Sequence, residues 1–373
     1  MRHLEASRWQ PATVYALFDG HQNGDFRNWI YRSTDYGQTW TSIAADLPAS
    51  VVPHVIREDV ASPNLLFLGT EFGLFVSGNS AQSWVPLRAN MPMVPVNDLV
   101  IQPRDHALVL GTHGRGIWIL DDLRPLRALL TGASSVAVTL APIPTSVHQK
   151  RLAPRISHSG DMHFRGENPA SGIAFTVLAR DSGTAATVVV QRAGGGEMWR
   201  QVMTTRRGAN QVTWNLRGPS LPAIPSPLHT TASGGGGGGG GGGEDEDAKR
   251  PLSGAFVRPG TYDVIVDVGG TAVARRTFDV HPDRRQDASP AAREAWHVAM
   301  DSIATLYRAT SALEQRTRAT GPSAKERADT IAELQMRVGA LHQLLESQVG
   351  APTADMRAQL ASFARVYARE AGR

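Results

Sequence analysis

The chain has no cysteine, which excludes disulfide bonds, thiolate metal sites and thiol catalysis. It also has no apolar run that approaches the roughly 18 residues needed to span a bilayer. Residues 1–20 lack a basic segment followed by an apolar core, so we expect no export signal in this chain.

Lysine is scarce as well. It supplies three of the 38 basic residues, and the formal net charge is +4. The arginines form short, scattered pairs such as Arg206-Arg207 and Arg284-Arg285, whereas a nucleic-acid interface concentrates basic side chains on one surface. We therefore expect no nucleic-acid partner. At roughly 100–200 residues per domain, 373 residues predict two to three domains.

Motifs of cofactor and metal chemistry are also missing. The sequence contains neither a Gly-x-Ser-x-Gly nucleophile elbow nor a phosphate-binding loop. His158, His163 and His281 do not have the spacing of metal ligands and are interpreted as surface residues. The sequence accordingly predicts no cofactor and no metal site.

The first third of the chain contains internal repeats. Residues 53–70 align without a gap with residues 95–112, at an offset of 42. Residues 31–40 align with residues 75–84 at an offset of 44, and a third copy begins at Trp118. A period of 42–44 residues that contains four short strands is typical of a β-propeller blade.

The segment STDYGQTW has the pattern of an Asp-box, in which a tight turn joins two strands. Ser33 and Asp35 are expected to bond backbone groups that the turn leaves unpaired. Gly37 supplies a positive φ angle, and Trp40 is expected to pack between neighbouring blades. These residues are therefore interpreted as structural, with no catalytic role.

The second copy of this turn is degraded. Asn79 stands in the place of the aspartate and Ala81 in the place of the glycine, whereas Trp84 is retained. Because Ala81 has no easy access to positive φ, we expect a looser turn there.

Three segments carry a specific resemblance: residues 14–40, 65–77 and 108–129. They resemble the last blades of bacterial sortilin-type Asp-box (BNR repeat) propeller proteins, which are often labelled glycosyl hydrolases. The resemblance covers about residues 8–130. It implies a fold related to sialidases and xyloglucanases and a secreted or periplasmic location.

Only about two and a half blades are present, and a closed ring requires ~4–8. We therefore predict a partial β-propeller over residues 1–130. Its open edges are expected to associate with missing blades or with another copy of the chain.

The blade topology places a set of polar loops on one face, opposite the Asp-box turns. These loops join the second and third strands of each blade and span residues 19–28, 71–72 and 113–115. The candidate ligand-binding residues in them are His21, Asp25, Arg27, Glu71, His113 and Arg115. They are suited to a polyol, a carboxylate or a peptide, and a solvated rim is the alternative. Arg115 is the foremost of these candidates.

Two other interpretations of these loops stay open. Glu71 and Asp25 are a possible pair of glycosidase carboxylates, although their spacing does not show that they meet. The segment from Asp19 to Asp25 alternates oxygen donors as a calcium loop does. However, His21 occupies an oxygen-donor position, and the twelfth position is Ile30 where a glutamate is usual.

The middle of the chain is rich in β-strand patterns. Residues 131–163 are predicted to be a linker, and residues 164–283 an immunoglobulin-like β-sandwich. The six predicted strands are 173–179, 186–192, 198–204, 210–216, 261–268 and 272–280. A glycine-rich insertion at 228–252 is predicted to be disordered, because a ten-glycine run buries no apolar area. Trp214 and Tyr262 are predicted core residues.

The last part of the chain has helical periodicity. Three apolar stripes with spacings of three and four residues predict a three-helix unit over residues 290–373. Ser323 and Thr353 are predicted to cap the second and third helices.

The sequence therefore predicts a mainly β protein with an α-helical C-terminus: a partial propeller of about two to three blades, an immunoglobulin-like sandwich and a three-helix unit. The favoured function is a non-catalytic binding or assembly fragment that presents surfaces to protein or glycan partners. The alternative is the C-terminal part of a secreted glycoside hydrolase, sialidase-like or xyloglucanase-like, whose main catalytic residues lie upstream.

Overall fold

The computed structural model describes residues 1–49, 51–132, 137–150, 172–223, 251–348 and 350–373. The fold is mainly β with an α-helical C-terminus, as predicted. The chain divides into two compact units. The first consists of Met1–Ile143, Thr176–Ala185 and Thr204–Gln211, and the second of Pro144–Phe175, Ala186–Met203 and Val212–Arg373.

Three antiparallel sheets follow one another at the start of the first unit. The first sheet contains β1 (His3–Ala6), β2 (Val14–Leu17), β3 (Ile30–Ser33) and β4 (Thr41–Ser42); the second contains β5 (Pro53–Glu58), β6 (Leu66–Thr70), β7 (Gly73–Ser77) and β8 (Val85–Pro86); the third contains β9 (Val96–Gln102), β10 (Ala107–Thr112) and β11 (Ile117–Leu120). After β11 the chain forms a short helix, α1 (Arg124–Leu130), where a fourth strand would follow. These are the two and a half blades that the repeats predict.

The second sheet is covered on both faces, which explains its composition. Successive side chains of a strand point to opposite faces, so a strand that is buried on both sides has no polar alternation. Residues 65–68 form such a continuous apolar run. Leu68 packs in a core shared with Leu17 and Ile30 of the first sheet. Phe67, on the opposite face, packs in a core with Leu99 of the third sheet.

Polar contacts also join the three sheets. The guanidinium of Arg57, in β5, donates from Nη1 to Glu5 Oε2 in the first sheet at 2.7 Å. Its Nε donates to the carbonyl oxygen of Leu99 in the third sheet at 2.9 Å. One side chain of the middle sheet therefore fixes the spacing of both neighbours.

A buried ion pair holds α1 against the second sheet. Arg127 donates from Nε to Oδ1 of Asp59 at 3.0 Å and from Nη2 to Oδ2 at 2.8 Å. The Asp59 side chain is fully buried, and its Oδ1 also accepts from the backbone N–H of Ala61 at 2.8 Å. The paired geometry compensates the cost of removing the carboxylate from water.

The turn at residues 33–40 has the predicted hydrogen bonds. Ser33 Oγ accepts from the Gly37 N–H at 2.8 Å and donates to Asp35 Oδ1 at 2.7 Å. Hydrogen bonds from the Thr39 side chain and backbone lower the pKa of Asp35 to about 2. Gly37 has a φ of 87°, as expected. The carboxylate therefore serves as a turn acceptor.

The second turn is not looser, so that prediction is wrong. Ala81 adopts a φ of 65°, and its N–H donates to Ser77 Oγ at 2.9 Å, the bond that Gly37 makes in the first turn. Asn79 takes the place of the aspartate and accepts from the Ser83 N–H at 3.0 Å. These bonds hold the alanine in the left-handed region despite its Cβ.

The two turn tryptophans differ. Trp84 is buried and donates from Nε1 to the carbonyl oxygen of Ile43 in the first sheet, as expected for packing between sheets. Trp40 is exposed, and its Nε1 bonds the carbonyl oxygen of Gly37 in its own turn. The predicted packing of Trp40 between blades is therefore wrong for the residues that the structure describes, where its ring is exposed.

Eight further strands form two more sheets. They are β12 (Val138–Leu140), β13 (Ser146–His148), β14 (Ile173–Ala179), β15 (Ala185–Arg192), β16 (Glu197–Thr204), β17 (Gly208–Trp214), β18 (Gly260–Val268) and β19 (Thr271–His281), in the orders β12-β14-β17 and β13-β19-β18-β15-β16. All six predicted strands are present. The predicted linker 131–163 needs correction, because β12 and β13 lie in it and pair with β14 and β19. The glycine-rich insertion predicted at 228–252 lies outside the described residues, apart from its last two.

An aromatic cluster forms the core of the second unit. Phe278 lies 5.8 Å from Phe175 and 6.2 Å from both Trp214 and Tyr262, measured between ring centroids. Trp214 and Tyr262 are both buried, which confirms their prediction as core residues. The Trp214 Nε1–H is satisfied by the carbonyl oxygen of Arg217 at 2.9 Å.

Three helices end the chain, as predicted: α2 (Pro290–Ala319), α3 (Lys325–Ser347) and α4 (Ala354–Ala371). The Thr353 hydroxyl accepts from the Met356 N–H and caps α4. The predicted cap by Ser323 is wrong, because Pro322–Ala324 forms a short 3-10 turn and Ala324 precedes α3. No helix within the described ranges is both long and apolar enough to cross a membrane.

Candidate functional site

A polar cluster lies where the loops of the first three sheets meet, and His54 is at its centre. His54 is the second residue of β5 and is buried. Its Nε2 lies 3.1 Å from Glu71 Oε2, and its Nδ1 lies 2.7 Å from Asn97 Oδ1. The antiparallel pairing of β5 with β6 explains the first contact, because the start of one strand lies beside the end of the other.

The first sheet contributes Asp19 and His21 to this cluster. Asp19 Oδ1 accepts from the His21 N–H at 3.0 Å and lies 2.5 Å from His21 Nδ1. Burial opposes ionisation of Asp19, but the two hydrogen bonds from His21 lower its pKa overall. Asp19 thus stays ionised, and its carboxylate also acts electrostatically on His54. We call Asp19, His21, His54, Glu71 and Asn97 the polar loop cluster.

The environment of His54 favours its neutral form. Burial lowers the pKa of His54 below the usual 6.5, and Arg2 lowers it further. The hydrogen bond with Asn97 and the carboxylates of Glu71 and Asp19 oppose this shift without cancelling it. Both ring nitrogens face oxygen atoms, so the charged ring can donate to Glu71 and Asn97 at once, whereas the neutral ring carries a proton for only one of the two contacts.

The predicted residues Asp25 and Arg27 are engaged with each other. Arg27 donates from Nε to Asp25 Oδ1 at 2.9 Å and from Nη2 to Oδ2 at 2.7 Å, and it lies over the ring of Trp29 at 4.1 Å. The Arg27 hydrogen bonds hold the pKa of Asp25 well below its usual range. An ionised carboxylate in this arrangement does not act as a general acid.

The other two predicted residues, His113 and Arg115, are exposed in the loop between β10 and β11. Neither side chain forms an ion pair or a hydrogen bond with the residues that the structure describes. The carbonyl oxygen of Arg115 accepts from Trp118 Nε1 at 3.1 Å, and the His113 N–H donates to the carbonyl oxygen of Pro95 at 3.0 Å. Both side chains are therefore available to a ligand.

The possible calcium loop is occupied by its own contacts. Its first and last carboxylates are those of Asp19 and Asp25, which bond His21 and Arg27. Among the described residues, no group of three or more His, Asp or Glu side chains is arranged to hold a metal ion. Of the scattered histidines, His281 is exposed at the end of β19, and His158 and His163 lie outside the described residues.

Sequence reasoning missed three members of the polar loop cluster: Asp19, His54 and Asn97. Asp19 had been considered only as a calcium ligand. His54 and Asn97 lie in strands, whereas all the predicted candidates lie in loops. The signal that was available is the hairpin of residues 53–70, because its pairing places His54 next to Glu71.

Removal of the Glu71 charge is expected to lower the pKa of His54 further. In the native protein the titration midpoint of the ring should lie below 6.5, and in Glu71→Gln it should be lower still. The pKa of His54 is lower in the folded than in the unfolded state. The contribution of its neutral ring to stability is therefore complete above about pH 6.5 and is lost as the pH falls through the folded-state pKa. Ring-proton NMR titration measures the midpoint.

The control for this titration is Asp105→Asn, which removes an exposed carboxylate paired with Arg104. It should leave the His54 midpoint unchanged. A midpoint above 6.5 in the native protein would show that burial does not dominate the pKa of His54. A rise of the midpoint in Glu71→Gln would show that the Glu71 contact has been misassigned.

Comparison with known proteins gives limited similarity. No protein-family model matches the chain, and no curated protein matches it. The solved structure of a GH74 xyloglucanase from Xanthomonas campestris is 17% identical, with a TM-score of 0.26, over 32% of this chain and 20% of its own length. An ancestral GH74 enzyme is 14% identical, with a TM-score of 0.26, over 56% of this chain and 18% of its own.

The extracellular domain of a putative one-component system from B. thetaiotaomicron is 10% identical, with a TM-score of 0.24. That similarity covers 75% of this chain and 30% of the other. The chain thus spans less than a third of each of these three proteins. Similarity at this level assigns neither a family nor a function.

Proposed function

We propose that this chain is a non-catalytic binding module whose polar loop cluster binds a hydroxyl-rich or amide-rich ligand, a glycan or a peptide segment of a partner protein. The observation that carries the proposal is the position of His54, buried between Glu71 and Asn97. Three successive sheets contribute to one cluster, which is the arrangement expected of a ligand site built by loops on a rigid scaffold.

The chemistry of the cluster favours hydrogen-bonding ligands. Glu71 is exposed, and His54 approaches only one of its oxygens closely, at 3.1 Å. The outer lone pairs of this carboxylate accept from hydroxyl or amide groups, and such charge-assisted bonds contribute about 1.5–3 kcal/mol. His113 and Arg115 add donors from the third sheet.

The alternative, the C-terminal part of a secreted glycoside hydrolase, has less support from the site. A glycosidase needs one carboxyl group that is protonated to act as an acid and a second that acts as a base or nucleophile. Asp25 is ionised and bonded to Arg27, and Glu71 is bonded to His54. The sortilin-type Asp-box relationship and a secreted or periplasmic location belong to the same proposal and rest on the resemblance of residues 8–130.

Loss of the Glu71 charge should weaken ligand binding by about tenfold, because one charge-assisted hydrogen bond contributes about 1.4 kcal/mol or more. A panel of soluble oligosaccharides and peptides, screened against the full chain, identifies a ligand. Titration calorimetry then compares the native protein with Glu71→Gln and Asp19→Asn.

The matched control is again Asp105→Asn, which should bind as tightly as the native protein. Circular dichroism of each variant separates loss of binding from loss of folding. Release of sugar from a sialoside or glucan by this chain alone would refute the non-catalytic proposal. Equal affinity of native protein and Glu71→Gln would remove the polar loop cluster from it.

A further inference from the structure

The three sheets repeat, so equivalent positions in them can be compared. The face of the second sheet that packs on the third is built from Phe67, Leu74 and Val76. Strand pairing places Phe67 beside Val76, and Leu74 beside Gly69. All three apolar side chains are buried, and Leu74 is only 4% exposed.

The equivalent face of the third sheet is exposed. Val109 pairs with Ile119 in the way that Phe67 pairs with Val76 one repeat earlier. Ile117 pairs with Gly111 in the way that Leu74 pairs with Gly69. Ile117 is 73% exposed, and Ile119 and Val100 of the same face are also exposed. We call Val100, Val109, Ile117 and Ile119 the trailing face.

The first sheet also has an exposed face, equivalent to the face of the second sheet that packs on the first sheet. In the second sheet, Ile56 and Phe75 occupy the face that packs on the first sheet. Their equivalents in the first sheet are Leu4 and Tyr31, because both residues are cross-strand partners of Ala16 in β2. Leu4 is exposed, whereas Ile56 is fully buried.

Trp40 extends this face of the first sheet. Its equivalent in the next repeat, Trp84, is 5% exposed because it packs on the preceding sheet, whereas Trp40 is 43% exposed. The difference lies in the surroundings, since both residues end the same kind of turn. We call Leu4, Tyr31 and Trp40 the leading face.

We propose that a second copy of this chain covers both faces, so that the leading face of each copy packs on the trailing face of the other. Both contacts among the first three sheets join a face of the leading kind to a face of the trailing kind. A second copy carries both kinds and therefore continues the same packing. Two copies contribute six sheets of the repeated kind, three from each chain, which is within the ~4–8 that closed rings of such sheets use.

This association has a defined symmetry. A face that packs on a different face makes a heterologous contact, which closes only when the rotation completes a ring. With two copies, a twofold axis through the ring relates them, and both contacts are identical. The proposal is independent of the polar loop cluster, which is built from other residues.

The test is the mass of the full chain in solution, measured by light scattering after size exclusion at micromolar concentration. The native protein should have twice the 40.1 kDa mass of one chain. Ile119→Asp, on the trailing face, and Leu4→Asp, on the leading face, should each give the monomer, because a buried unpaired carboxylate opposes the contact. Val202→Asp, at an exposed valine of β16, is the matched control and should stay dimeric.

Mixing the two variants tests the heterologous geometry. The trailing face of Leu4→Asp and the leading face of Ile119→Asp are both native, so a dimer with one intact contact should reappear in the mixture. A chain that carries both substitutions should remain monomeric. Circular dichroism verifies that each variant is folded.

Three results would overturn the proposal. A native protein that is monomeric across the micromolar range would show that no second copy covers these faces. Dimers of Ile119→Asp or of Leu4→Asp alone would place the contact elsewhere. Two monomeric variants that do not associate on mixing would exclude the leading-to-trailing contact.

Discussion

Arg127→Met is expected to destabilise the first unit by about 3–5 kcal/mol, the range found when one partner of a buried ion pair is removed. The substitution leaves the Asp59 carboxylate buried with the Ala61 N–H as its remaining close donor among the described residues. Methionine has a similar length, so the loss measures the missing charge and hydrogen bonds more than a cavity. Chemical denaturation gives the free energy of unfolding, and hydrogen exchange of amides in β5 and α1 locates the loss.

Arg104→Met is the matched control, because Arg104 forms an equally short ion pair with Asp105, at 2.7 Å, but on the surface. Exposed pairs contribute about 0–1 kcal/mol, since water screens the charges. A similar loss in both variants would show that burial does not determine the contribution of the Asp59 pair.

Gly172→Ala is expected to destabilise the second unit by about 3 kcal/mol or more, through steric overlap together with backbone strain. A Cβ at this position would lie 2.0 Å from the carbonyl oxygen of Trp214 and 2.8 Å from the Asn215 Cα. Both neighbours are backbone atoms at the end of β17, so they cannot rotate away. The midpoint of thermal or chemical unfolding, monitored by near-UV circular dichroism of the aromatic cluster, measures the effect.

Gly195→Ala separates the steric overlap from the strain. Gly195 has a φ of 113°, close to the 125° of Gly172, but a Cβ there would meet nothing within 4 Å. Its cost should be limited to the backbone term of about 1–2 kcal/mol. If the two alanine variants are equally destabilised, the close approach of Trp214 has no energetic weight.

The repeats made the first three sheets predictable. The offset of 42–44 residues aligns strands of similar length, and the continuous apolar run at residues 65–68 indicates a sheet that is covered on both faces. The helices were predictable for a similar reason, because Trp296, Met300 and Ile303 recur at helical spacing and are all buried. The division into three domains and the immunoglobulin-like assignment stay predictions.

Other features left no readable signal in the sequence. β12 and β13 contain three residues each, which is too short for alternation to be recognised, and prolines between them resemble a linker. The helix α1 lies where a complete four-stranded sheet would have its fourth strand. Trp40 and Trp84 have the same local pattern but different environments, which no local pattern encodes.

The candidate site was predictable only in part, because loops can be read from the repeat and contacts cannot. Glu71 and His21 were recognised as loop residues on one face. Their partners, His54 and Asp19, depend on which strand ends meet in three dimensions. The pKa of His54 depends in addition on burial, which follows from the packing of all three sheets.

The pair between Asp59 and Arg127 also bears on the order of events during synthesis. The two residues are 68 positions apart, and the arginine lies beyond the third sheet. A nascent chain that has emerged only as far as the second sheet holds the Asp59 carboxylate without its counter-ion. The contribution of this pair to stability is therefore absent until residue 127 has left the ribosomal tunnel and α1 has docked.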